Sequence, residues 1–386
     1  MLWKKTKKIL LVVTIIFLGI NLCACSGDEI KKKIKEMSVE EKIGMMFIIR
    51  PDALVESNTP EILADNSIQG SISVTQEMSD FYQKYPAGGF AIFKKNITDE
   101  QQLVSFTEQL HSLGNNEPLI CIDEEGGMVA RIANHSSFSV RQFPNMEDIA
   151  ATGDFNNAYV LGNTIGEYLN KYGIDVDFAP VADVNTNPNN TVIGARAFGS
   201  DPEVAGDMVT NFVKGLHDNN VMSCIKHFPG HGDTNEDTHL GYAQANKTWE
   251  EMLNCEMIPF KKGIEAGTDF VMIAHITTSK IDPQVPATLS HILLTDKLRN
   301  ELGFKGVIIT DAFAMGAITQ EYSAGEAAVK AIQAGVDIVL MPEDYKEAFE
   351  AVKKAVDNSE ISMDRIEESV YRILKLKQKY QNKSSQ

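Results

Sequence analysis

The most unusual stretch of the chain is a polar, glycine-rich segment that gathers side chains able to carry a proton or bind a metal. Residues 226–239 read KHFPGHGDTNEDTH and contain three histidines, two aspartates and one glutamate. Histidine and carboxylate ligands at this density suit zinc or iron. They equally suit acid–base catalysis, because Asp237 can orient and charge-stabilise the imidazole of His239. A solvated loop is the third interpretation, and spacing alone leaves the metal and acid–base interpretations open.

Further candidates stand where short apolar runs end. They are Asp123, which opens the string DEEGG, Asp183 with Arg196 in the following loop, the pair Lys226 and His227, then His275 and Asp311. In a barrel of parallel strands, the catalytic groups lie at the carboxyl ends of the strands. Five of the predicted strands end in such residues, while the strands themselves stay apolar. The pattern therefore predicts an active site at one rim of a barrel.

The apolar runs themselves predict the fold. Eight of them lie near 46–49, 89–93, 119–122, 176–181, 222–225, 270–274, 307–309 and 338–341. Amphipathic segments of helical length separate most of them, at 99–113, 158–172, 202–217 and 249–266 among others. Eight such units favour an α/β fold, a (β/α)8 TIM-type barrel, over a doubly wound sheet. No glycine-rich phosphate-binding sequence follows the first run, which further disfavours a dinucleotide fold.

The barrel is predicted to occupy residues 38–380 as a single domain with no second C-terminal domain. Ser38 and Glu41 form a capping box that starts its first helix. The polar stretch 52–84 is the main insertion, expected to be irregular or helical. A closing helix is predicted over 361–380, followed by a polar tail at 381–386.

The N-terminus has the pattern of a secretion signal. Four lysines within the first eight residues precede a short apolar run over 9–20. The sequence Leu-Cys-Ala-Cys that ends at Cys25 resembles the lipobox of bacterial lipoproteins. Residues 1–24 are therefore predicted to be a lipoprotein signal peptide, Cys25 the lipidated residue, and 25–37 the lipidated end and a polar tether. The mature protein would be extracytoplasmic and lipid-anchored to a cell membrane. A plain signal peptide or an uncleaved anchor is the alternative.

Composition limits the possible partners. The 386 residues are 43% hydrophobic and 23% charged, which excludes a disordered chain and a polytopic membrane protein. The formal net charge of −17 disfavours nucleic acid as a partner. Cys121, Cys224 and Cys255 are an odd number without the spacing of a metal site, so no disulfide framework is predicted.

Four motifs resemble those of family-3 glycoside hydrolases, in the order that the family has them. They are IDEEGG with Arg131, NNTVIGARAFGSDP, KHFPGHGDT and ITDAFAMGAI. The branch that they resemble most is the β-N-acetylglucosaminidases that act on peptidoglycan fragments, and the similarity runs from about Ser38 to Leu376. The resemblance implies a (β/α)8-type barrel that needs no metal or other cofactor for catalysis. It thus favours the acid–base interpretation of the polar segment.

The resemblance also implies roles for individual residues. Asp311 would be the nucleophile, and His239 the acid/base with Asp237 as its partner, in place of the second carboxylate that most glycosidases use. The terminal N-acetylglucosamine would be bound by Asp123, Arg131, Arg196, Lys226 and His227. Three positions depart from the family pattern: Glu124 stands where glutamine is common, Met128 where arginine often occurs, and Thr238 where serine is frequent.

The sequence thus predicts a retaining exo-β-N-acetylglucosaminidase that works through a covalent glycosyl-enzyme. Its substrate would be an N-acetylglucosamine-containing cell-wall fragment, and its lipid on Cys25 would contact a membrane. A β-N-acetylglucosaminide phosphorylase and a broader β-glycosidase are alternatives with the same fold. A non-catalytic sugar-binding lipoprotein is an alternative from a different class.

Overall fold

The computed structural model describes residues 27–234 and 243–384 of the chain. Eight short strands form its centre: β1 (Phe47–Ile49), β2 (Gly89–Ile92), β3 (Leu119–Ile122), β4 (Val176–Asp177), β5 (Met222–Phe228), β6 (Phe270–Ile273), β7 (Val307–Thr310) and β8 (Val339–Leu340). All of their residues are buried. Burial on both faces explains why the sequence shows continuous apolar runs here instead of an alternating pattern.

The eight strands are parallel and follow chain order around the sheet. The order is β7-β6-β5-β4-β3-β2-β1-β8. The two ends of this order meet through a parallel bridge between Ile309 and Ile338. There the amide of Thr310 donates to the Ile338 carbonyl at 3.1 Å, and the amide of Leu340 donates to the Thr310 hydroxyl at 3.0 Å. The predicted eight-stranded α/β barrel is therefore confirmed.

Helices surround the barrel. The α-helices are 27–36, Val39–Gly44, Pro60–Ala64, Gln76–Lys84, Glu100–His111, Met146–Ala151, Asn156–Lys171, Pro202–Asp218, Trp249–Leu253, Met257–Glu265, Gly316–Thr319, Ala324–Ala334, Tyr345–Asp357 and Met363–Ser384. A π-helix spans Ile292–Glu301, and 3₁₀ turns span Pro51–Leu54, Lys94–Asn96, Gly194–Arg196 and Ala287–Leu289. Short strands outside the barrel are Glu124–Gly126, Val129–Ala130, Ala243–Ala245, Ile276–Thr278 and Asp282–Pro286.

Two predicted elements differ because of proline. The helix expected over 249–266 is two helices, since Pro259 has no N–H to bond the carbonyl of Cys255 and its ring crowds that carbonyl. The strand expected over 176–181 ends at Asp177, because Pro180 cannot donate to a neighbouring strand. A single bridge from Val181 to Lys226 continues the pairing beyond it.

The predicted polar tether is wrong over most of its length. Residues 27–36 form a helix whose Ile30 and Ile34 are buried in the main hydrophobic core, together with Met37 just beyond it. Two isoleucines four residues apart lie on one helix face, and that face packs while the lysines around it stay exposed. The polar tail is also shorter than predicted, because the last helix runs on to Ser384.

The capping box, the insertion and the cysteines agree with their predictions. Ser38 and Glu41 form the capping box, each bonding the other's backbone amide. The insertion contains two α-helices and a 3₁₀ turn. Cys121, Cys224 and Cys255 are free thiols. No helix among the described residues combines the length and the apolar character that crossing a membrane requires.

Candidate active site

A cavity of about 640 Å³ opens at the carboxyl ends of the barrel strands. It brings together six of the residues that the sequence singles out: Asp123, Arg131, Arg196, Lys226, His227 and Asp311. They come from four different strands or the loops that follow them, so only the closed barrel makes them neighbours. A larger depression of about 970 Å³ is lined by residues that precede β6 and β7, at the opposite end of the barrel, and it contains none of the predicted site residues.

Asp311 stands immediately after β7, and the backbone fixes its carboxyl group. Its amide donates to the carbonyl of Ile273 on β6 at 2.8 Å, and its Oδ1 accepts the amide of Ala312 at 2.7 Å. Burial alone would raise the pKa of Asp311, but the nearby His227 and His275 outweigh it and hold that pKa below its usual range. Asp311 is therefore an ionised carboxylate at neutral pH, the state that a nucleophile needs.

Lys226 lies at the centre of a buried ion network. Its Nζ is 2.8 Å from Asp123 Oδ1 and 2.7 Å from Glu125 Oε1. Arg196 holds Glu125 from the other side, with Nη2 2.7 Å from Oε1 and Nε 2.9 Å from Oε2. Burial opposes the charged form of Lys226, yet the two carboxylates raise its pKa above the usual range. The network presents fixed charges that suit hydrogen bonds to sugar hydroxyls.

Asp123 links this network to Arg131. Its Oδ2 is 3.3 Å from Arg131 Nη2, while its Oδ1 is held by Lys226. Burial would raise the pKa of Asp123, but Lys226 and Arg131 together lower it well below its usual range. The Nε of Arg131 is buried and has no hydrogen-bond partner among residues 27–234 and 243–384, and its guanidinium lies 5.6 Å from the centre of the Phe93 ring. An unpartnered donor of this kind is available to a substrate oxygen.

His227 is fixed by Asp183, a fully buried carboxylate. Asp183 Oδ2 is 2.7 Å from His227 Nδ1, and its Oδ1 accepts the backbone amide of His231 at 2.6 Å. The Nε2 of His227 is therefore the ring nitrogen that can bond a group in the cavity. His275 lies 2.9 Å from the Ala312 carbonyl through its own Nε2, so it braces the turn that carries Asp311. Asp183 and His275 thus position other groups.

The string DEEGG holds a residue whose importance the sequence does not reveal. Glu125 is 2% exposed and bonds both Arg196 and Lys226, whereas its neighbour Glu124 points the other way. Glu124 accepts the amides of Ile132 and Ala133 and the Tyr168 hydroxyl, and so fixes the hairpin next to Arg131. The departure from the family pattern at Glu124 therefore lies away from the cavity. The only sign of Glu125 in the sequence is its place in an acidic string at a strand end.

Asp237 and His239 lie outside the described residues, within 235–242. The described residues on each side of that segment lie at the end of the barrel where the cavity opens. His231 lines the cavity, and Ala243 pairs with Ile276 next to His275. Asp233, which the sequence left without a role, accepts the Thr186 hydroxyl at 3.0 Å and lies 3.4 Å from Lys247, so it anchors the loop.

The described residues contain no group of three or more His, Cys, Asp or Glu side chains that could hold a metal ion. The carboxylates at the rim are instead engaged with cations or backbone amides, as Asp123, Glu125 and Asp183 show. This arrangement can bind a polar substrate and present one nucleophilic carboxylate to it.

We expect Glu125→Gln to destabilise the fold by disrupting the ion network of the site. The amide cannot supply the charge between Arg196 and Lys226, and removing one partner of a buried ion pair lowers the free energy of unfolding by about 3 kcal/mol. These cations outweigh burial and lower the pKa of Glu125 to about 2 from 4.5. The stabilisation is therefore complete above pH 4.5 and is lost as the pH falls towards 2. Urea unfolding at a series of decreasing pH values should show that wild type and variant differ less and less in their free energy of unfolding.

The matched control is Glu108→Gln, at an exposed position on the helix Glu100–His111. It removes the same charge and should change the free energy of unfolding by less than about 0.5 kcal/mol. If the free energies of unfolding of wild type and Glu125→Gln differed by the same amount down to about pH 3, the charge network would not be the cause of that difference.

Comparison with known proteins shows the family of the chain. Residues 31–376 match the Glycosyl hydrolase family 3 N terminal domain. The chain is 33% identical over 342 residues to "Beta-hexosaminidase A" of Pseudoalteromonas piscicida, covering 80% of this chain and 56% of that protein. It is 34% identical over 291 residues to a "Beta-hexosaminidase" of Stenotrophomonas maltophilia, covering 72% of this chain and 84% of that protein.

A solved structure extends this similarity to three dimensions. A glycoside hydrolase family 3 β-N-acetylglucosaminidase from Paenibacillus sp. superposes with a TM-score of 0.80 at 34% identity, over 89% of this chain and 63% of that chain. The chain thus spans less than two thirds of this structure and of the Pseudoalteromonas relative. The match over almost all of the barrel, together with relatives above 30% identity, leads to one conclusion: the chain belongs to glycosyl hydrolase family 3, a family of glycoside hydrolases.

Proposed function

We propose that the protein is a retaining exo-β-N-acetylglucosaminidase that releases terminal N-acetylglucosamine from cell-wall fragments. One observation carries this proposal: an ionised carboxylate, Asp311, shares a cavity with an ion network that can bind a sugar through several hydroxyls. Similarity to relatives named β-hexosaminidase supports the choice of an N-acetylated sugar.

We assign the first chemical step to Asp311. The network of Asp123, Lys226 and Arg131 holds the terminal sugar, so that its anomeric carbon faces the carboxylate. Asp311 attacks that carbon through its Oδ2, because Oδ1 is held by the Ala312 amide. The bond to the leaving oxygen breaks as a covalent glycosyl-enzyme forms. His239, with Asp237 as its partner, protonates the leaving oxygen and later deprotonates the water that releases the sugar.

We further propose that the protein works outside the cytoplasm, anchored through a lipid on Cys25. The lipobox-like sequence at 22–25 and the basic, apolar segment before it support this. Two acyl chains would be needed for stable anchoring, because one gives only reversible binding.

Phosphorolysis is the alternative that keeps the same nucleophile. A neutral imidazole base repels an incoming phosphate less than a second carboxylate would. The cations at the cavity, such as Arg196 and Lys226, would not repel it either. A sugar 1-phosphate that forms only when phosphate is added would identify this reaction.

The test uses residues 26–386 with a chromogenic N-acetyl-β-glucosaminide and the matching β-glucoside. We expect release from the N-acetylated substrate only, at a rate that EDTA does not change. Activity abolished by EDTA would contradict the mechanism and support a metal hydrolase. Equal activity on both sugars would indicate a broader β-glycosidase. Binding of N-acetylglucosamine without turnover of any β-glycoside would support the sugar-binding lipoprotein.

A further inference from the structure

Two helices cover the end of the barrel opposite the cavity. The last helix of the chain crosses this end and bonds residues that precede three different strands. These pairs are Lys377 with Glu117 before β3, Tyr380 with Asp269 before β6, and Arg372 with Asp337 before β8. The helix 27–36 lies beside it, because its Ile34 lines the depression of about 970 Å³ that the last helix also lines. A Cβ added at Gly27 would be 3.5 Å from the hydroxyl of Tyr371 on the last helix. The first described residues therefore lie at the amino-terminal end of the barrel strands.

The predicted lipid attachment site is close to this end of the barrel. Cys25 lies outside the described residues, and only Ser26 separates it from Gly27. Two residues of fully extended chain span about 7 Å at most. Any conformation of this link therefore keeps Cys25 within that distance of Gly27. A lipid on Cys25 is held at the end of the barrel where the two helices lie.

Both helices are basic, although the chain is acidic. The ranges 27–36 and 363–384 contain ten lysines and arginines against six aspartates and glutamates, whereas the whole chain contains 36 against 53. Two further acids, Asp269 and Asp337, lie under the last helix, but both are buried and each is paired with a cation. The two helices that cover this end therefore carry a net charge opposite in sign to that of the chain.

The depression between the two helices concentrates this positive charge. Six basic and four acidic side chains line it. Three of the four acids are paired at 2.8 to 3.6 Å: Asp269 with Lys379, Glu367 with Lys42, and Glu368 with Arg372. Four of the lysines are exposed and form no ion pair with a carboxylate in the described parts of the chain, namely Lys31, Lys35, Lys305 and Lys375. Against these four stands only Asp364, so the depression attracts anions.

We propose, building on the proposed lipid anchor at Cys25, that the amino-terminal end of the barrel rests on an anionic lipid surface. A bilayer that holds the acyl chains of Cys25 meets the helix 27–36 first. Its phospholipid headgroups supply the negative charge that the four lysines of the depression face. Each lysine near such a surface strengthens the attraction about fivefold, and salt weakens it.

This orientation directs the active site away from the membrane. The cavity opens at the carboxyl ends of the strands, which is the other end of the barrel. A domain of this size has a radius of gyration of about 20 Å, so the cavity lies about 40 Å from the lipid. A sugar held in the headgroup layer of the same membrane cannot reach Asp311 at that distance, whereas a soluble fragment approaches the cavity freely.

The test measures which side of the lipidated protein lies next to lipid. The full chain, expressed with its own signal, is reconstituted in vesicles that contain phosphatidylglycerol and a lipid with a fluorescence quencher on its headgroup. One introduced cysteine at a time carries a fluorophore, in a Cys255→Ser background, because Cys121 and Cys224 are buried. The four exposed positions are Asp364→Cys beside the depression, Asn66→Cys beside the cavity, and Glu108→Cys and Asp296→Cys on helices after β2 and β6, at opposite sides of the barrel. We expect the quenching constant at residue 364 to exceed that at either flank at least threefold, and the fluorophore at residue 66 to be quenched least.

Lysine variants connect this orientation to the depression. Combining Lys31→Gln, Lys35→Gln and Lys375→Gln should bring the ratio of quenching at residue 364 to quenching at the flanks close to one, and the three arginine substitutions should preserve the ratio. Phosphatidylcholine vesicles or high salt should lower the ratio for the unchanged lysines as well. The matched control removes three exposed lysines from the cavity end of the barrel and should leave the ratio unchanged: Lys94→Gln, Lys280→Gln and Lys346→Gln. The melting temperature of each variant checks that its fold is intact.

Equal quenching at all four positions, or the strongest quenching at residue 66, would overturn the proposed orientation. A preference for residue 364 that persists in the triple glutamine variant and in phosphatidylcholine would reject the contact between these lysines and lipid. The mass of the N-terminal peptide tests the anchor separately. A mature protein without a diacylglyceryl group on Cys25 would reject the anchor and this surface together. The proposed glycosidase function would then still stand, because the chromogenic assay uses residues 26–386 without any lipid.

Discussion

Replacing Asp311 with asparagine should lower kcat/KM for every β-N-acetylglucosaminide by about 10⁴-fold or more. The carboxylate is held ionised by His227 and His275, and an amide in its place has no charge with which to form the covalent bond. The substitution should not disturb the fold, because the amide oxygen can still accept the Ala312 amide as Oδ1 does. Steady-state kinetics with the chromogenic substrate measures the loss.

Two controls separate loss of the nucleophile from damage to the protein. The melting temperature of Asp311→Asn should lie within a few degrees of wild type, and N-acetylglucosamine should still bind. Wild-type enzyme treated with a fluorinated substrate that slows release should carry the sugar on the peptide that contains Asp311, and the first product released should be the β-anomer. Activity close to wild type in Asp311→Asn, or an α-anomer as first product, would contradict a covalent mechanism at this residue.

The barrel is predictable because its strands are buried on both faces. Their apolar runs stand out, and the polar residues that end them must meet at one rim once parallel strands close. The sequence alone therefore predicts that Asp123, Lys226 and Asp311 are neighbours, and they do line one cavity. The helix 27–36 was not predicted, because Ile30 and Ile34 are two apolar residues among lysines, and only packing shows that they are buried.

Charge pairing within the site could not be predicted in the same way. Glu124 and Glu125 are identical neighbours in the sequence, yet successive side chains of a strand point to opposite faces. One therefore fixes a hairpin through Tyr168, and the other joins Arg196 to Lys226. Likewise, nothing in the sequence shows that the guanidinium groups of Arg50, at the end of β1, and Arg131 both lie over the ring of Phe93. Such contacts depend on which strands become neighbours and on where their loops turn.

His239→Ala should affect substrates according to their leaving groups. A sugar alkoxide is a poor leaving group and needs a proton, so kcat/KM for a disaccharide should fall by about 10²- to 10³-fold. A nitrophenolate leaves without a proton, so kcat/KM for the nitrophenyl glycoside should fall less than about tenfold. Its kcat should nevertheless fall more than its kcat/KM, since the release of the glycosyl-enzyme still needs a base to activate water.

This split between kcat and kcat/KM is what distinguishes an acid/base from a residue that only supports the fold. Because kcat/KM reports steps up to formation of the glycosyl-enzyme, a lost base leaves it nearly unchanged for an activated substrate and lowers KM as the intermediate accumulates. Azide, which attacks without giving up a proton, should restore kcat and yield the β-glycosyl azide. Equal losses for both substrates, with no effect of azide, would show that His239 is not the acid/base. Another group that lines the cavity would then protonate the leaving oxygen. His227 is a candidate, because Asp183 bonds its Nδ1 and not its Nε2.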